Sequence, residues 1–145
     1  MKHYLSIFFL LISLMGLNAC TKTNNTIISP YSMTATIGSS TWNAATTSSN
    51  YTVSGADTTL YVIGKAANGQ MIQITFLDFH HFVGPYYIGS SATAAYYKDS
   101  VSYTNAANGQ FIIQTINASA ITGTFNFKTS DSTAISMGSF SIKAF

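Results

Sequence analysis

The chain has 145 residues, and only 7% of them are charged, namely six Lys and four Asp. Nucleic-acid binding depends on clustered Lys and Arg. The lysines here are scattered through a chain that has no Arg, so the composition argues against nucleic acid as a partner. Residues 20–145 suffice for one domain that buries roughly two-thirds of its unfolded surface.

The first 19 residues have the organisation of a lipoprotein signal peptide. A short basic start precedes an apolar run from Leu5 to Leu17, which is shorter than the ~20 residues of a bilayer-spanning helix. The run ends in Leu17-Asn18-Ala19-Cys20, which looks like the bacterial lipobox. We expect cleavage before Cys20 and attachment of a diacylglyceryl group to its thiol. The alternative is an ordinary secretory signal that is cut after Ala19 and leaves a free thiol.

Acylation of Cys20 would keep the mature protein on a membrane outside the cytoplasm, because two or more acyl chains give stable anchoring. Cys20 is the only cysteine, so its acylation would leave no thiol for disulfides, redox chemistry or metal binding. Residues 20–30 are polar and aperiodic, and we interpret them as the lipidated Cys and a tether. A single β-rich domain is predicted at residues 31–145.

After Pro30 the apolar residues recur at every second position, which is the period of a half-buried strand. This alternation is clearest from Met33 to Ile37 and from Ile121 to Phe127. No ten-residue stretch after Pro30 has a helical period, and the many Ser, Thr and β-branched residues disfavour a helix. We therefore predict an all-β fold, an antiparallel β-sandwich of about eight to ten strands, with a partly closed β-barrel as the alternative.

The last predicted strand changes phase along its length. Ile135 and Met137 occupy odd positions, whereas Phe140 and Ile142 occupy even ones. A β-bulge at Gly138 would restore a single inward face, because one extra residue reverses the alternation.

Turn chemistry separates the predicted strands. The turn candidates are Gly38-Ser39, Asn68-Gly69, Asn108-Gly109 and residues 129–133. Asn-Gly accepts the positive φ angles of a type I′ turn, so we predict a hairpin at each Asn-Gly pair. Both pairs lie in a repeated word, Ala-Ala-Asn-Gly-Gln, at residues 66–70 and 106–110. The repeat indicates either a duplicated hairpin or convergence on the same turn.

Three motifs occur in this order along the chain: Met33 to Gly38 with Trp42 shortly after, Ile121 to Phe127, and Gly138 to Ile142. Together they resemble a family of short Bacteroidota lipoproteins with one β-rich domain of unknown function. The resemblance covers most of residues 31–145 and implies a location in the cell envelope, at the outer membrane. It carries over no activity and no site residue. Surface display in this group is associated with acidic residues after the Cys, and residues 21–25 have none, so the periplasmic and the outer face both remain open.

The strongest candidates for catalysis or metal binding are Asp78, His80 and His81. On a strand, Asp78 and His80 would share a face and His81 would point away. Asp78 and His80 are weak candidates for a Zn²⁺ site, which needs a third protein ligand. No serine-hydrolase elbow is present, and four scattered Asp give little support to a glycosidase pair. We predict no enzymatic activity, no cofactor and no metal site.

Tyrosines are the best candidates for ligand binding. Adjacent residues of a strand point to opposite faces, so Tyr86-Tyr87 and Tyr96-Tyr97 should each place one ring inside and one outside. We name Tyr86 and Tyr97 as candidate residues that bind a glycan or a peptide; outward rings that only support the sheet are the alternative. Trp42 is expected in the core.

Two functional classes follow from these features. The first is an envelope lipoprotein that binds a ligand. The second is a structural or assembly lipoprotein that contacts partner proteins through β-edges, because few charges protect the strands from edge pairing.

Overall fold

The computed structural model describes residues 30–99 and 102–145. The predicted signal peptide, Cys20 and the tether before Pro30 lie outside the described residues. Within these two ranges the regular secondary structure consists of β-strands only. The ten strands are β1 (Ser32–Ile37), β2 (Ser40–Asn43), β3 (Thr46–Ser54), β4 (Asp57–Lys65), β5 (Met71–Leu77), β6 (Gly84–Tyr87), β7 (Ala92–Tyr97), β8 (Tyr103–Ile116), β9 (Ala120–Thr129) and β10 (Ala134–Lys143).

The strands form one curled antiparallel sheet in the order β2-β1-β10-β9-β8-β7-β5-β4-β3, and β6 pairs with β8 beside β7. The curl brings β3, at one end of this order, against β10, which lies near the other end: Ser49 Oγ donates to the Lys143 carbonyl at 3.2 Å. The all-β prediction with about eight to ten strands is confirmed. A sheet curled in this way around one core is consistent with both a sandwich and a partly closed barrel.

The inside of the curl is a core of alternate residues from nearly every strand. Phe76 lies at its centre and is fully buried. The Phe76 ring centroid is 5.0 Å from that of Tyr86 and 5.7 Å from that of Phe111. The inward faces predicted for β1 and β9 are confirmed, as is the core position of Trp42. Period-two alternation therefore identified the buried face of these strands correctly.

The predicted bulge in β10 is present. The register with β9 shifts between Ile135 and Gly138, and the buried face passes from odd to even positions there. Met137, expected to lie inward with Ile135, is instead 79% exposed and has a φ of +48°. The bulge turns this side chain outward because the extra residue is the one that leaves the alternation.

One of the two predicted hairpins is wrong. Asn68-Gly69 lies in the connection between β4 and β5, so this hairpin is confirmed, but the turn is not of type I′, because only Gly69 of the pair has a positive φ. Asn108-Gly109, in contrast, lies inside β8, where the register with β9 shifts between Ala106 and Asn108. Gly109 therefore allows β8 and β9 to approach each other closely, and it does not reverse the direction of the chain. The repeated word thus has two different structures, which contradicts both a duplicated hairpin and convergence on one turn.

The two ends of the curled sheet differ in what they carry. The Pro30 end consists of the start of β1, the β3–β4 turn, the β5–β6 loop at residues 78–83, the β8–β9 turn and the end of β10. The Asp131 end consists of the β1–β2, β4–β5, β7–β8 and β9–β10 connections. A Lys98–Asp131 ion pair at 3.1 Å links two of these connections.

The Asp131 carboxylate accepts hydrogen bonds from several residues at this end of the sheet, and these bonds make the stability of the fold depend on pH. The Thr129 hydroxyl, the Lys98 ammonium at 3.1 Å and the Thr133 amide at 3.2 Å donate to its carboxylate, as does the Thr104 hydroxyl at 3.3 Å. The hydrogen bonds from Thr129, Lys98 and Thr133, that of Thr129 first, lower the pKa of Asp131 well below its ordinary value of 3.8. The charged carboxylate therefore contributes stability above pH 3.8, and this contribution is lost as the pH falls through the lowered folded pKa.

Asp131→Asn is accordingly expected to weaken the fold at pH 6 and to flatten the loss of stability between pH 4 and pH 2. The measurement is the urea midpoint of both proteins across this range. Asp57→Asn is the matched control, since Asp57 is exposed at the start of β4, at the other end of the sheet. Parallel pH profiles for the parent and Asp131→Asn would contradict the assigned role.

Candidate functional site

Both tyrosine pairs are divided between the core and the surface, as the sequence predicted. In β6, Tyr86 is 4% exposed and Tyr87 is 50% exposed. In β7, Tyr96 is buried and Tyr97 lies on the outer face. The division follows from the pleat, which sends neighbouring side chains to opposite faces.

The choice of Tyr86 as an exposed ligand-binding residue is wrong. Its ring packs against Phe76 and Phe79 in the core, and its hydroxyl donates to the Phe82 carbonyl at 3.1 Å. Burial raises the pKa of the Tyr86 hydroxyl. Because β6 pairs with β8 in a register that sets Tyr86 beside the inward Phe111, the outward member of this pair is Tyr87.

Tyr97 is the candidate that lies where a ligand can reach it. On the outer face of the sheet it is flanked by Met71 of β5 and Tyr103 of β8, its direct partners in the register. The rings of Tyr97 and Tyr103 are stacked, with centroids 5.2 Å apart and planes inclined by 29°. Tyr103 is 58% exposed. The two rings form a continuous aromatic surface across two strands.

Next to this surface the register places a row of residues with amide ends. Gln73 of β5, Ala95 of β7 and Asn105 of β8 are cross-strand partners on the outer face. Ala95 is buried although it points outward, because its short side chain lies between longer neighbours. In this row the short Ala95 side chain lies between the longer side chains of Gln73 and Asn105. Each of the two side-chain amides has a hydrogen-bond donor and an acceptor.

These residues line a hollow of about 430 Å³ that we call the Tyr97 groove. Its main lining residues are Gln73, Thr75, Thr93, Ala95, Tyr97 and Asn105. No Lys, Asp or His of the described residues lines it. A smaller hollow on the other side of Tyr97 does have charged lining residues, Lys65 and Asp99. The Tyr97 groove therefore offers an aromatic ring, hydroxyls and amides, but no charge.

Sequence reasoning identified Tyr97 but missed Gln73, Asn105 and the stacking role of Tyr103. Each of these side chains occupies an outward position of its own strand, and that alternation was a usable signal. The pairing of β5, β7 and β8 that brings them together has no signal in a single sequence. Tyr87 and Gln110 form a second exposed pair on β6 and β8, with Gln110 Nε2 donating to the Tyr87 hydroxyl at 3.2 Å.

Asp78, His80 and His81 do not lie on a strand, which overturns the predicted shared face of Asp78 and His80. β5 ends at Leu77, and the loop that follows has positive φ angles at Asp78 and His81. His80 Nδ1 lies 3.5 Å from the Thr58 hydroxyl, whereas the His81 ring packs against other rings at the Pro30 end. Within the described parts of the chain, no three His, Cys, Asp or Glu side chains are grouped in a way that could hold a metal ion.

Cys20, the predicted lipidation site, lies outside the described residues. In residues 30–99 and 102–145 no helix is long and apolar enough to cross a membrane.

No curated protein and no solved structure matches the chain. One family of known sequences does match, over residues 30–142, which is most of the chain and nearly all of the β domain. The protein therefore belongs to the family described as a domain of unknown function (DUF6252).

Proposed function

We propose that this protein is a lipid-anchored lipoprotein of the bacterial cell envelope, of the Bacteroidota type, whose domain binds an uncharged glycan in the Tyr97 groove without catalysis. The observation that carries the binding proposal is the stacked Tyr97–Tyr103 surface beside the amides of Gln73 and Asn105. The lipobox at Cys20 is the feature that supports a lipid anchor, which we place at the outer membrane.

A sugar matches this combination of groups. The apolar face of a pyranose ring packs on an aromatic ring, and its hydroxyls both donate and accept hydrogen bonds, as the amides of Gln73 and Asn105 do. The absence of charged lining residues from the described groove disfavours phosphate, sulfate and carboxylate ligands, which need a cation to compensate them. The favoured ligand is therefore neutral.

The position of the groove on a sheet face favours a glycan over a peptide. From Ala95 to Tyr97, β7 is an interior strand, and its backbone is paired with β5 on one side and β8 on the other. An extended peptide gains most of its affinity by pairing its backbone with a free strand edge. A ligand on this paired part of the Tyr97 groove is instead recognised by side chains.

The lining also supports binding without reaction. Hydrolysis of a glycoside uses a pair of carboxylates beside the scissile bond. The described lining of the groove has no Asp, and the chain has no Glu.

The test is a binding screen with the full-length protein in detergent micelles against immobilised oligosaccharides, both neutral and anionic. Tyr97→Ala is expected to weaken binding of the neutral ligand about tenfold, which corresponds to ~1.4 kcal/mol. Asn105→Ala is expected to weaken it about fivefold through the loss of one hydrogen bond, or ~1 kcal/mol.

Tyr87→Ala is the matched control, because Tyr87 is an exposed outer-face tyrosine that does not line the groove. It is expected to bind the neutral ligand as the parent does. Equal binding by all three variants and the parent, or binding of anionic glycans alone, would refute the assignment of the groove.

The second candidate function is assembly through an edge strand, and one observation favours it. Ser49 of β3 donates a side-chain hydrogen bond to β10, but among the described strands β3 pairs with β4 alone, and none of its nine residues is charged. It therefore lacks the usual protection against pairing with another chain. Recovery of one stoichiometric envelope protein by crosslinking in intact cells, lost when Ser48 is replaced by Lys, would support this function instead.

A further inference from the structure

Exposed apolar side chains concentrate at the Pro30 end of the sheet. Among the described residues nine large apolar side chains are exposed, and five of these lie at this end or directly before it. They are Val53, Leu77, Phe82, Val83 and Phe145. The Asp131 end has only Tyr103, which is stacked on Tyr97.

The β5–β6 loop presents two of these side chains on a fixed backbone. Phe79 in the same loop is fully buried, and the Tyr86 hydroxyl donates a hydrogen bond to the Phe82 carbonyl at 3.1 Å. A Cβ at Gly84 would lie 2.5 Å from the Phe82 ring, so the ring rests directly on the glycine. Phe82 is nevertheless 59% exposed, and Val83 is 50% exposed. The loop thus directs apolar surface outward from an anchored position.

The chain enters the domain at the same end. β1 begins beside the end of β10, with Ser32 paired to Ser141, and the Tyr31 hydroxyl donates to the Ser119 carbonyl in the β8–β9 turn at 3.2 Å. Cys20 lies ten residues before Pro30. Ten residues span at most about 35 Å when fully extended, so a lipid on Cys20 holds this end close to the bilayer.

We propose that the Pro30 end docks on the membrane surface, with Phe82 and Val83 inserted among the lipid headgroups and upper acyl chains. This inference rests on the lipid anchor of the proposed function. An anchored domain meets the bilayer at a high effective concentration, so that a small apolar contact suffices to orient it. The charges at this end are mixed, since Asp57, Asp78 and Lys143 all lie there, and they favour a neutral lipid surface over a strongly anionic one.

Docking in this way orients the ligand site. Tyr97 ends β7 and Tyr103 begins β8, so their stacked rings lie towards the Asp131 end. With the Pro30 end on the bilayer, the aromatic part of the Tyr97 groove lies on the side of the domain that faces away from the membrane. The anchor and the ligand are then held at opposite ends of one rigid sheet.

The test uses nitroxide labels on the full-length lipidated protein in phosphatidylcholine vesicles. Phe82→Cys and Val83→Cys place the label on the loop, and Met137→Cys is the control because Met137 is an exposed apolar side chain away from the Pro30 end. Oxygen concentrates in lipid and a nickel chelate stays in water, so the ratio of their effects on the spin signal reports depth. We expect this ratio to be at least threefold higher at positions 82 and 83 than at 137.

Equal ratios at all three positions, on protein that sediments with the vesicles, would overturn the docking while the anchor stands. The parent protein tests separately whether Cys20 carries a lipid, because Cys20 is its only cysteine. An acylated Cys20 takes up no label. Labelling of the parent would refute the anchor and, with it, the docking.

Discussion

Gly109→Ala is expected to lower the free energy of unfolding by about 2–4 kcal/mol, although it adds one methyl group to a surface strand. Gly109 has a φ of +154°, and a Cβ built there would lie 2.5 Å from the Asn126 carbonyl oxygen and 2.5 Å from Phe127 Cβ. The Asn126 contact is with backbone of the paired strand β9, which cannot move aside without breaking the ladder. The bulge in β8 therefore has room for glycine alone.

The repeated word supplies a matched control for this substitution. Gly69 occupies the same place in the first copy, with a φ of +88° and no atom within 4 Å of a built Cβ. Gly69→Ala should cost only the conformational strain, about 1 kcal/mol. Urea unfolding can be followed by the fluorescence of the single, buried Trp42. Equal losses for the two variants would show that the close approach of β9 contributes nothing.

Phe76→Ala is expected to lower the free energy of unfolding by about 3–5 kcal/mol, the range for removal of a buried aromatic ring. Phe76 is fully buried, and its ring lies within 6.1 Å of those of Phe79 and Phe140, in addition to its contacts with Tyr86 and Phe111. Strands from both halves of the sheet meet around it. Because these rings are held by their own strands, they would fill the cavity left by the Phe76 ring only in part.

Phe82→Ala is the control for this second substitution, because the Phe82 ring is more than half exposed. In detergent solution, away from a bilayer, it should change the free energy of unfolding by under about 1 kcal/mol. The prediction for Phe76 would fail if both variants lost a similar amount in the same urea titration.

The features that depend on one strand at a time could be predicted from the sequence. Alternation identified the inward faces of β1 and β9, and it divided each tyrosine pair correctly between core and surface. It could not say which member of Tyr86-Tyr87 lies inside, because that depends on the register of β6 with β8. Local chemistry was misleading at Asn108-Gly109, where the same pair that makes a turn elsewhere relieves crowding between two strands.

The candidate site was predicted only in part for the same physical reason. Tyr97 was chosen from its own strand, whereas Gln73 and Asn105 reach it through pairings across β5, β7 and β8. Gln73 and Asn105 are both partners of Ala95, and neither pairing can be recognised from the residues of a single strand. The loop at Asp78 escaped prediction because a single positive φ ends β5 there, and Asp is among the few residues that tolerate it.

The pairing of β1 with β10 sets the order in which this protein can fold. Met33 is the partner of Phe140, so the first and last strands of the domain lie side by side, and β1 has no neighbour except β2 until the final residues arrive. Contacts this distant in sequence form late and slowly. The domain can therefore close only after β10 has left the ribosome, because until then β1 has no partner on the side that β10 occupies.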